Sequence, residues 1–234
     1  MQKNLSVTLS AIMAIAMLLS FVIPAVSASS EKIIKEKIFL TYVEPLGTPG
    51  TDSYNVYDYS GIHWRTGMTV TYSINTKGAP AGAFSAVKKA FETWDTAVTV
   101  ELFNGNVAVA SSKLAGNKYD GKNVISWGHL RPGIIAQTTI WYNPTAKEIV
   151  EVGIVFNSLY RWGIDPNPGD SVKINGFDVQ NIATHEAGHT LMLLDLYAPE
   201  TNQLTMYGYG DYGQTYAQTL GAGDLSGVQF IYQS

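Results

Sequence analysis

The chain has 234 residues, a formal net charge of −4 and no cysteine. Without cysteine it can form neither a disulfide framework nor a thiolate metal site. The weakly acidic charge, which comes with no basic stripe, argues against a nucleic-acid partner.

The N-terminus has the pattern of a secretory signal peptide over residues 1–28. Lys3 supplies the positive charge, residues 9–23 are almost wholly apolar, and residues 26–28 offer small side chains for cleavage. The mature protein is therefore expected outside the cell, without a stable membrane partner. The alternative is an uncleaved anchor that would keep it at the cell surface. Cleavage leaves roughly 200 residues, enough for one domain with its own core.

Residues 29–60 are predicted to be an N-terminal arm or a short propeptide. Residues 38–43 have the composition of a strand, and the Gly/Pro-rich stretch after them is turn-forming. We favour an arm, because apart from a carboxylate such as Glu44 or Asp52 nothing in this segment has the character of a zinc-blocking group. Residues 61–234 are then the single main domain.

The main domain begins with the pattern of a crossover unit. Residues 68–75 alternate as a half-buried strand does, and residues 98–103 predict the next strand. Between them, residues 81–95 predict a helix with apolar side chains three and four apart, which suits packing against a sheet. Further strands are predicted at residues 107–110, 123–127, 134–142 and 148–157. The last two are joined by a short turn, so we expect an antiparallel pair with one member at a sheet edge.

The loop at residues 160–176 carries oxygen ligands that a calcium ion could use. Asp165, Asn167 and Asp170 have a suitable spacing, but the twelfth position, where an EF-hand has a carboxylate, is Gly176. Calcium therefore stays a secondary possibility, and we interpret the loop as a turn-rich entry to the next helix.

The main chemical signal is the sequence His185-Glu186-Ala-Gly-His189. It lies in a predicted helix over residues 178–193, with Asp178 placed to cap the first turn. Histidines four apart on a helix project from one face and can bind the same zinc ion, and the glutamate between them is placed to act as a general base. The alternative, two ordinary core histidines, would bury Glu186 for no evident purpose.

A catalytic zinc ion usually takes three protein ligands and a water. His63 and His129 lie far upstream, so the nearest candidates for the third ligand are carboxylates, at Asp195, Glu200, Asp211 and Asp224. A continuous helix would carry Asp195 about 120° away from the two histidines. The helix must therefore end near Leu193 and the chain must turn back if Asp195 is to bind the metal.

The segment HEAGHTLMLLD resembles the metzincin motif HExxHxxGxxH in the variant that ends in Asp, as in snapalysin-like proteases and archaeal relatives of the matrixins. The segment LTMYGY, with Met206, stands where metzincins have their Met-turn, and residues 222–232 resemble the final matrixin helix. One departure is Met192, where the family usually has a glycine that lets the chain leave the helix. The likeness covers residues 68–232.

This resemblance implies an α+β fold with an α/β-like N-terminal part: a twisted mixed sheet, a backing helix, the zinc-binding helix, the Met-turn and a C-terminal helix. It implies one zinc ion on His185, His189 and Asp195, with Met206 beneath it, and a peptide substrate extended along the edge strand at residues 134–142. Tyr207 and Tyr209 are weaker candidates for lining the substrate pocket.

The predicted function is that of a secreted zinc endopeptidase, acting as a monomer on peptides or proteins, in which Glu186 takes a proton from water and passes it to the leaving amine. Two alternatives are a catalytically silent domain that binds a surface partner and a zinc hydrolase of a non-peptide bond. The intact Glu186 argues against the silent domain.

Overall fold

The computed structural model describes residues 33–44, 51–169 and 173–233. The predicted signal peptide, parts of the predicted arm and Asp170 lie outside these ranges. The described fold is mixed α+β, in agreement with the coarse prediction, and contains three α-helices. None of its helices has the length and apolar character needed to cross a membrane.

The elements follow one another in alternating groups of strands and helices. The strands are β1 Lys35–Val43, β2 Ser73–Ile74, β3 Ala108–Val109, β4 Val124–Gly128, β5 Ile134–Asn143, β6 Glu148–Asn157, β7 Trp162–Gly163, β8 Phe177–Asp178 and β9 Tyr209–Gly210. The helices are α1 Ala83–Asp95, α2 Val179–Thr190 and α3 Ala222–Tyr232, with short 3₁₀ turns at Pro199–Thr201 and Tyr216–Gln218.

Seven strands form one mixed sheet in the order β3-β2-β4-β6-β5-β1-β9. β2 and β3 are parallel neighbours with α1 between them in sequence, so a crossover unit is present, but its second strand is β3 and not the predicted strand at residues 98–103. β5 and β6 pair antiparallel over most of their length, as predicted. β7 and β8 form a separate parallel pair just before α2.

The predicted strand at residues 98–103 is wrong. The carboxylate of Asp95 accepts the backbone N–H groups of Leu102 and Phe103 at 2.7 and 3.0 Å, so a side chain satisfies donors that a sheet partner would otherwise take. Only an isolated bridge from Val70 to Phe103 remains. The strand predicted at residues 68–75 is limited to β2.

The prediction that residues 134–142 form a sheet edge is also wrong. β5 lies between β6 and β1, and β1 pairs antiparallel with it from Lys35, opposite Tyr142, to Tyr42, opposite Ile134. β6 is internal as well, between β4 and β5. The predicted arm therefore supplies the strand that covers the outer side of β5.

Helix α2 is buried on all sides. Its first turn is capped by the Asp178 carboxylate, which accepts the backbone N–H of Asn181 at 2.8 Å, as predicted. Two indole N–H groups bond backbone carbonyls of this helix: that of Trp94, from α1, bonds Thr184, and that of Trp64 bonds Thr190. A helix held from several directions keeps its side chains in fixed positions.

Candidate metal centre

Helix α2 turns His185 and His189 toward Asp195, which follows the helix. The Nε2 atoms of the two histidines lie 3.4 and 3.3 Å from Oδ1 of Asp195. The three groups together offer ligand atoms that all lie within 4.8 Å of one another. The three residues predicted to hold a metal are thus brought together, and they are the only such group found among the described residues.

The chain reaches Asp195 because α2 ends earlier than predicted, at Thr190 rather than near Leu193. The N–H of Leu193 bonds the carbonyl of Gly188 at 3.2 Å, and the N–H of Met192 bonds that of His189 at 2.8 Å. This pair of bonds is the Schellman pattern, which requires a left-handed residue after the C-cap. Met192 has a φ of 66°, so it occupies that position although it is not glycine.

Both histidine rings are oriented by backbone carbonyls that lie beyond the helix. Nδ1 of His185 lies 2.7 Å from the carbonyl of Thr205, and Nδ1 of His189 lies 2.8 Å from that of Leu193. A carbonyl only accepts, so each Nδ1 carries the proton and each Nε2 presents a lone pair when the ring is neutral. This second contact is typical of metal-binding histidines.

The three facing atoms, His185 Nε2, His189 Nε2 and Asp195 Oδ1, are buried and have no hydrogen-bond partner. Buried polar atoms are nearly always paired, and three unpaired acceptors that converge on one point repel one another unless a positive charge lies between them. The residues present therefore fit a cation, and the buried group could hold a metal ion.

Protonation of the cluster follows the same electrostatics. Burial opposes a charge on His185, but its pairing with the negatively charged Asp195 outweighs burial and raises the pKa of His185 to about 9. Burial likewise opposes the charge on Asp195, yet the two histidines hold its pKa well below the usual range. A proton thus takes the place of the cation in metal-free protein, and metal uptake must release it.

Glu186 is fully buried beside this cluster, and two threonine hydroxyls contact its carboxylate. Oγ1 of Thr41, from β1, donates to Oε1 at 2.6 Å, and Oγ1 of Thr138, from β5, donates to Oε2. No sequence pattern indicated either threonine, because both come from strands far from Glu186 in the chain. Phe39, also from β1, stacks on the imidazole of His189 with ring centroids 4.2 Å apart.

The segment with Met206 packs beneath α2. A Cβ added to Gly188 would lie 2.3 Å from the sulfur of Met206, so glycine is what allows this close approach. Asp224 of α3 holds the same segment by accepting the backbone N–H groups of Thr205 and Met206 at 2.8 and 3.1 Å.

The other ligand candidates lie elsewhere. Glu200 and Asp211 are exposed, as is His129, and Asp224 is engaged with backbone amides. Nδ1 of His63 contacts the carbonyl of the neighbouring Trp64.

The loop at residues 160–176, which we interpret as a turn-rich entry to the helix, contains a local turn where it is described. Oδ1 of Asp165 accepts the backbone N–H of Asn167 at 2.9 Å, which is a local turn. The remaining carboxylate, Asp170, lies outside the described residues, and calcium binding stays a secondary prediction.

Tyr197 lies beside Asp195, and the sequence did not single it out. Burial and the negative charge of Asp195 raise its pKa, so its phenol stays protonated at neutral pH. The rings of Tyr207 and Tyr209 lie beside it in an aromatic group, with 5.4 Å from Tyr197 to Tyr209 and from Tyr207 to Tyr209.

The chain matches no protein-family model, and no curated protein resembles it significantly in sequence. Fold and site together define a mixed α+β protein with a buried two-histidine, one-carboxylate group on and just after a single helix.

Proposed function

We propose that this protein is a secreted zinc-dependent endopeptidase. The observation that carries the proposal is the convergence of three unpaired, buried acceptors, from His185, His189 and Asp195, next to a buried Glu186 on the same helical turn. A metal with three protein ligands keeps a coordination position open, which is the arrangement of catalytic rather than structural zinc sites.

Zinc is the metal that the donor set favours. Two imidazole nitrogens and one carboxylate oxygen are ligands that zinc accepts readily, whereas calcium and magnesium prefer oxygen alone. Bound there, a zinc ion supplies a Lewis acid that polarises a carbonyl and lowers the pKa of water towards ~7.

Glu186 supplies the proton transfer. Its carboxylate accepts a proton from the attacking water and then delivers it to the nitrogen of the leaving amine, so the peptide bond is replaced by a carboxylic acid and a free amine. For this to occur, the carboxylate oxygen that now accepts the Thr41 hydroxyl must become free.

Several features favour a metzincin-like, matrixin-type relationship as part of this proposal. They are the HExxH spacing, the bend that brings in Asp195, Met206 packed beneath the helix, and α3 fastened to the Met206 segment. In this reading Met192 replaces a glycine and retains the left-handed conformation at a cost in stability.

One observation favours the second candidate, a catalytically silent binding domain. β1 lies over Glu186, with Phe39 on His189 and Thr41 on the carboxylate, so the described arrangement leaves no room for a peptide at that point.

The two candidates are separated by a casein digestion assay on the wild type, on the wild type with a chelator, and on Glu186→Ala. The proposal expects cleavage by the zinc-loaded wild type and loss of cleavage in both other samples. Metal analysis of the purified protein and of Asp195→Ala accompanies it, with zinc expected at one equivalent in the first and well below that in the second. A wild type that binds zinc but cuts nothing, even when β1 is displaced as described below, would leave the silent domain as the better account.

A further inference from the structure

Strand β1 covers the candidate site with two inward-facing side chains. The Thr41 hydroxyl donates to Glu186 at 2.6 Å, and the Phe39 ring lies flat on His189, with an interplanar angle of 11°. Phe39 and Thr41 are 5% and 1% exposed, so both are fully enclosed by the site. Together they occupy the space that a substrate would have to enter to reach Glu186.

The backbone of β1 is held on both sides as a strand. It pairs antiparallel with β5 and, at Tyr42 and Val43, parallel with β9. The N–H of Tyr42 bonds the carbonyl of Gly208 at 3.1 Å, and the N–H of Val43 bonds that of Gly133 at 3.1 Å. Main-chain pairing at a strand edge, with alternate side chains in pockets, is how proteins bind extended peptides.

The alternation along β1 separates contacts with the site from contacts with solvent. Phe39 and Thr41 point inward, whereas Ile38 between Lys37 and Phe39 is 49% exposed. The ammonium of Lys37 lies 4.9 Å from the Phe39 ring, and its pKa is lowered by burial against the opposing pull of Asp58 and Asp195. The inward face thus reads as a bulky apolar residue followed two positions later by a small hydroxyl residue.

We propose that the groove between β5 and β9 is a peptide-binding site that selects the pattern Phe-x-Thr, and that the chain's own Lys35–Val43 segment is its resident competitor. The inference rests on the proposed function, because that function makes the groove part of an active site, but peptide binding itself requires no catalysis. A peptide substrate reaches Glu186 only when β1 leaves the groove. The sequence indicated no clear blocking group in the N-terminal arm. In the structure, the arm blocks the site with the phenyl ring of Phe39 and the hydroxyl of Thr41.

The test measures binding of a labelled synthetic peptide, KEKIFLTYV, to the full chain carrying Glu186→Gln. This substitution removes the base and keeps a side-chain oxygen for the Thr41 hydroxyl. Phe39→Asp is then introduced into the arm to release it, and Ile38→Asp serves as the matched control, because it places the same charge on the same strand with the side chain in solvent.

Because the arm occupies the groove, the apparent affinity for a competing peptide is the intrinsic affinity multiplied by the fraction of molecules in which the groove is open. We expect Phe39→Asp to bind the peptide at least about tenfold more tightly than its parent, and Ile38→Asp to bind it as the parent does. A peptide with the equivalent Phe→Asp change should bind to none of the three. Equal affinity in all three proteins, or equal binding of the altered peptide, overturns the proposal.

Hydrogen exchange on the chain with an unaltered arm gives a second measurement that does not depend on the folding of Phe39→Asp. Excess peptide should speed exchange of the β1 amides that pair with β5, while the amides of α2 keep their protection. Unchanged β1 protection at a peptide concentration that saturates the groove contradicts the proposal.

Casein digestion by the same arm variants with Glu186 intact separates this inference from the proposed function. If Phe39→Asp binds the peptide but does not digest casein, the proposed peptidase function is refuted and the peptide-binding groove is retained. If all arm variants digest casein equally, the peptidase function is retained and the proposal that β1 competes with substrate is refuted.

Discussion

Met192 offers a test in which two structural effects oppose each other. It is fully buried, and it holds a φ of 66° at the bend that ends α2. Replacing it by glycine relieves the left-handed conformation, which is worth about 1 kcal/mol. The same change removes a buried side chain, for which truncation of Met to Ala costs about 2–5 kcal/mol. Burial therefore wins, and Met192→Gly should lose about 1–4 kcal/mol of unfolding free energy.

Met192→Ala is the matched control, because it loses the side chain but keeps the strained conformation. The expected order of stability is wild type, then glycine, then alanine, with glycine about 1 kcal/mol above alanine. Urea unfolding of all three in chelator, on a Glu186→Gln background, measures the order without metal binding or self-digestion. Zinc uptake should survive in Met192→Gly, since glycine adopts the same bend.

A glycine variant more stable than the wild type would show that the strain exceeds the value of the buried side chain. A glycine variant less stable than the alanine variant would show that Met192 is not strained at all. Either result would refute the account of the bend that brings Asp195 to the two histidines.

Three further predictions concern the site. In chelator-treated protein, the interaction with Asp195 raises the pKa of His185 in spite of burial, so this pair stabilises the fold fully below pH 6.5. The melting temperature should therefore fall as the pH rises from 6.5 through about 9. A melting temperature that does not change over this range would contradict the pairing. Gly188→Ala gains about 1 kcal/mol of helix propensity, but its Cβ would lie 2.3 Å from Met206 and 2.7 Å from Trp94. Overpacking, which costs about 1–3 kcal/mol, should dominate and lower the melting temperature. A higher melting temperature would show that Met206 moves aside freely. Because a carboxylate ligand leaves the metal less positive than a third histidine would, proteolysis should be optimal at or above neutral pH, and a profile that peaks near pH 5 would refute this.

Local sequence patterns predicted the elements whose partners are near in the chain. Residues 148–157 form a strand with the predicted bounds, and the hairpin turn between β5 and β6 fixed their pairing. The helix at residues 222–232 also has the expected bounds, but these came from the family resemblance and not from a local pattern. The spacing of His185 and His189 likewise fixed their common face, because helical geometry alone determines it.

Long-range pairing could not be read in the same way. Alternation in residues 38–43 indicates a strand but says nothing about which strand lies beside it. The pairing of β1 with β5, and hence the position of Thr41 on Glu186, depends on the whole sheet. The strand predicted at residues 98–103 failed for the opposite reason, since one carboxylate, that of Asp95, replaced a sheet partner.

The two histidines by themselves would not form the site, because their rings could rotate within the helix. The ring of His185 is fixed by the carbonyl of Thr205, whose own N–H is held by Asp224, and the ring of His189 is fixed by the carbonyl of Leu193 after the bend. Both contacts come from chain that follows α2, as does Asp195. The ligand geometry is therefore determined by how the chain leaves the helix and returns beneath it, so changes that alter the bend or the Asp224 contact should weaken metal binding without touching a ligand.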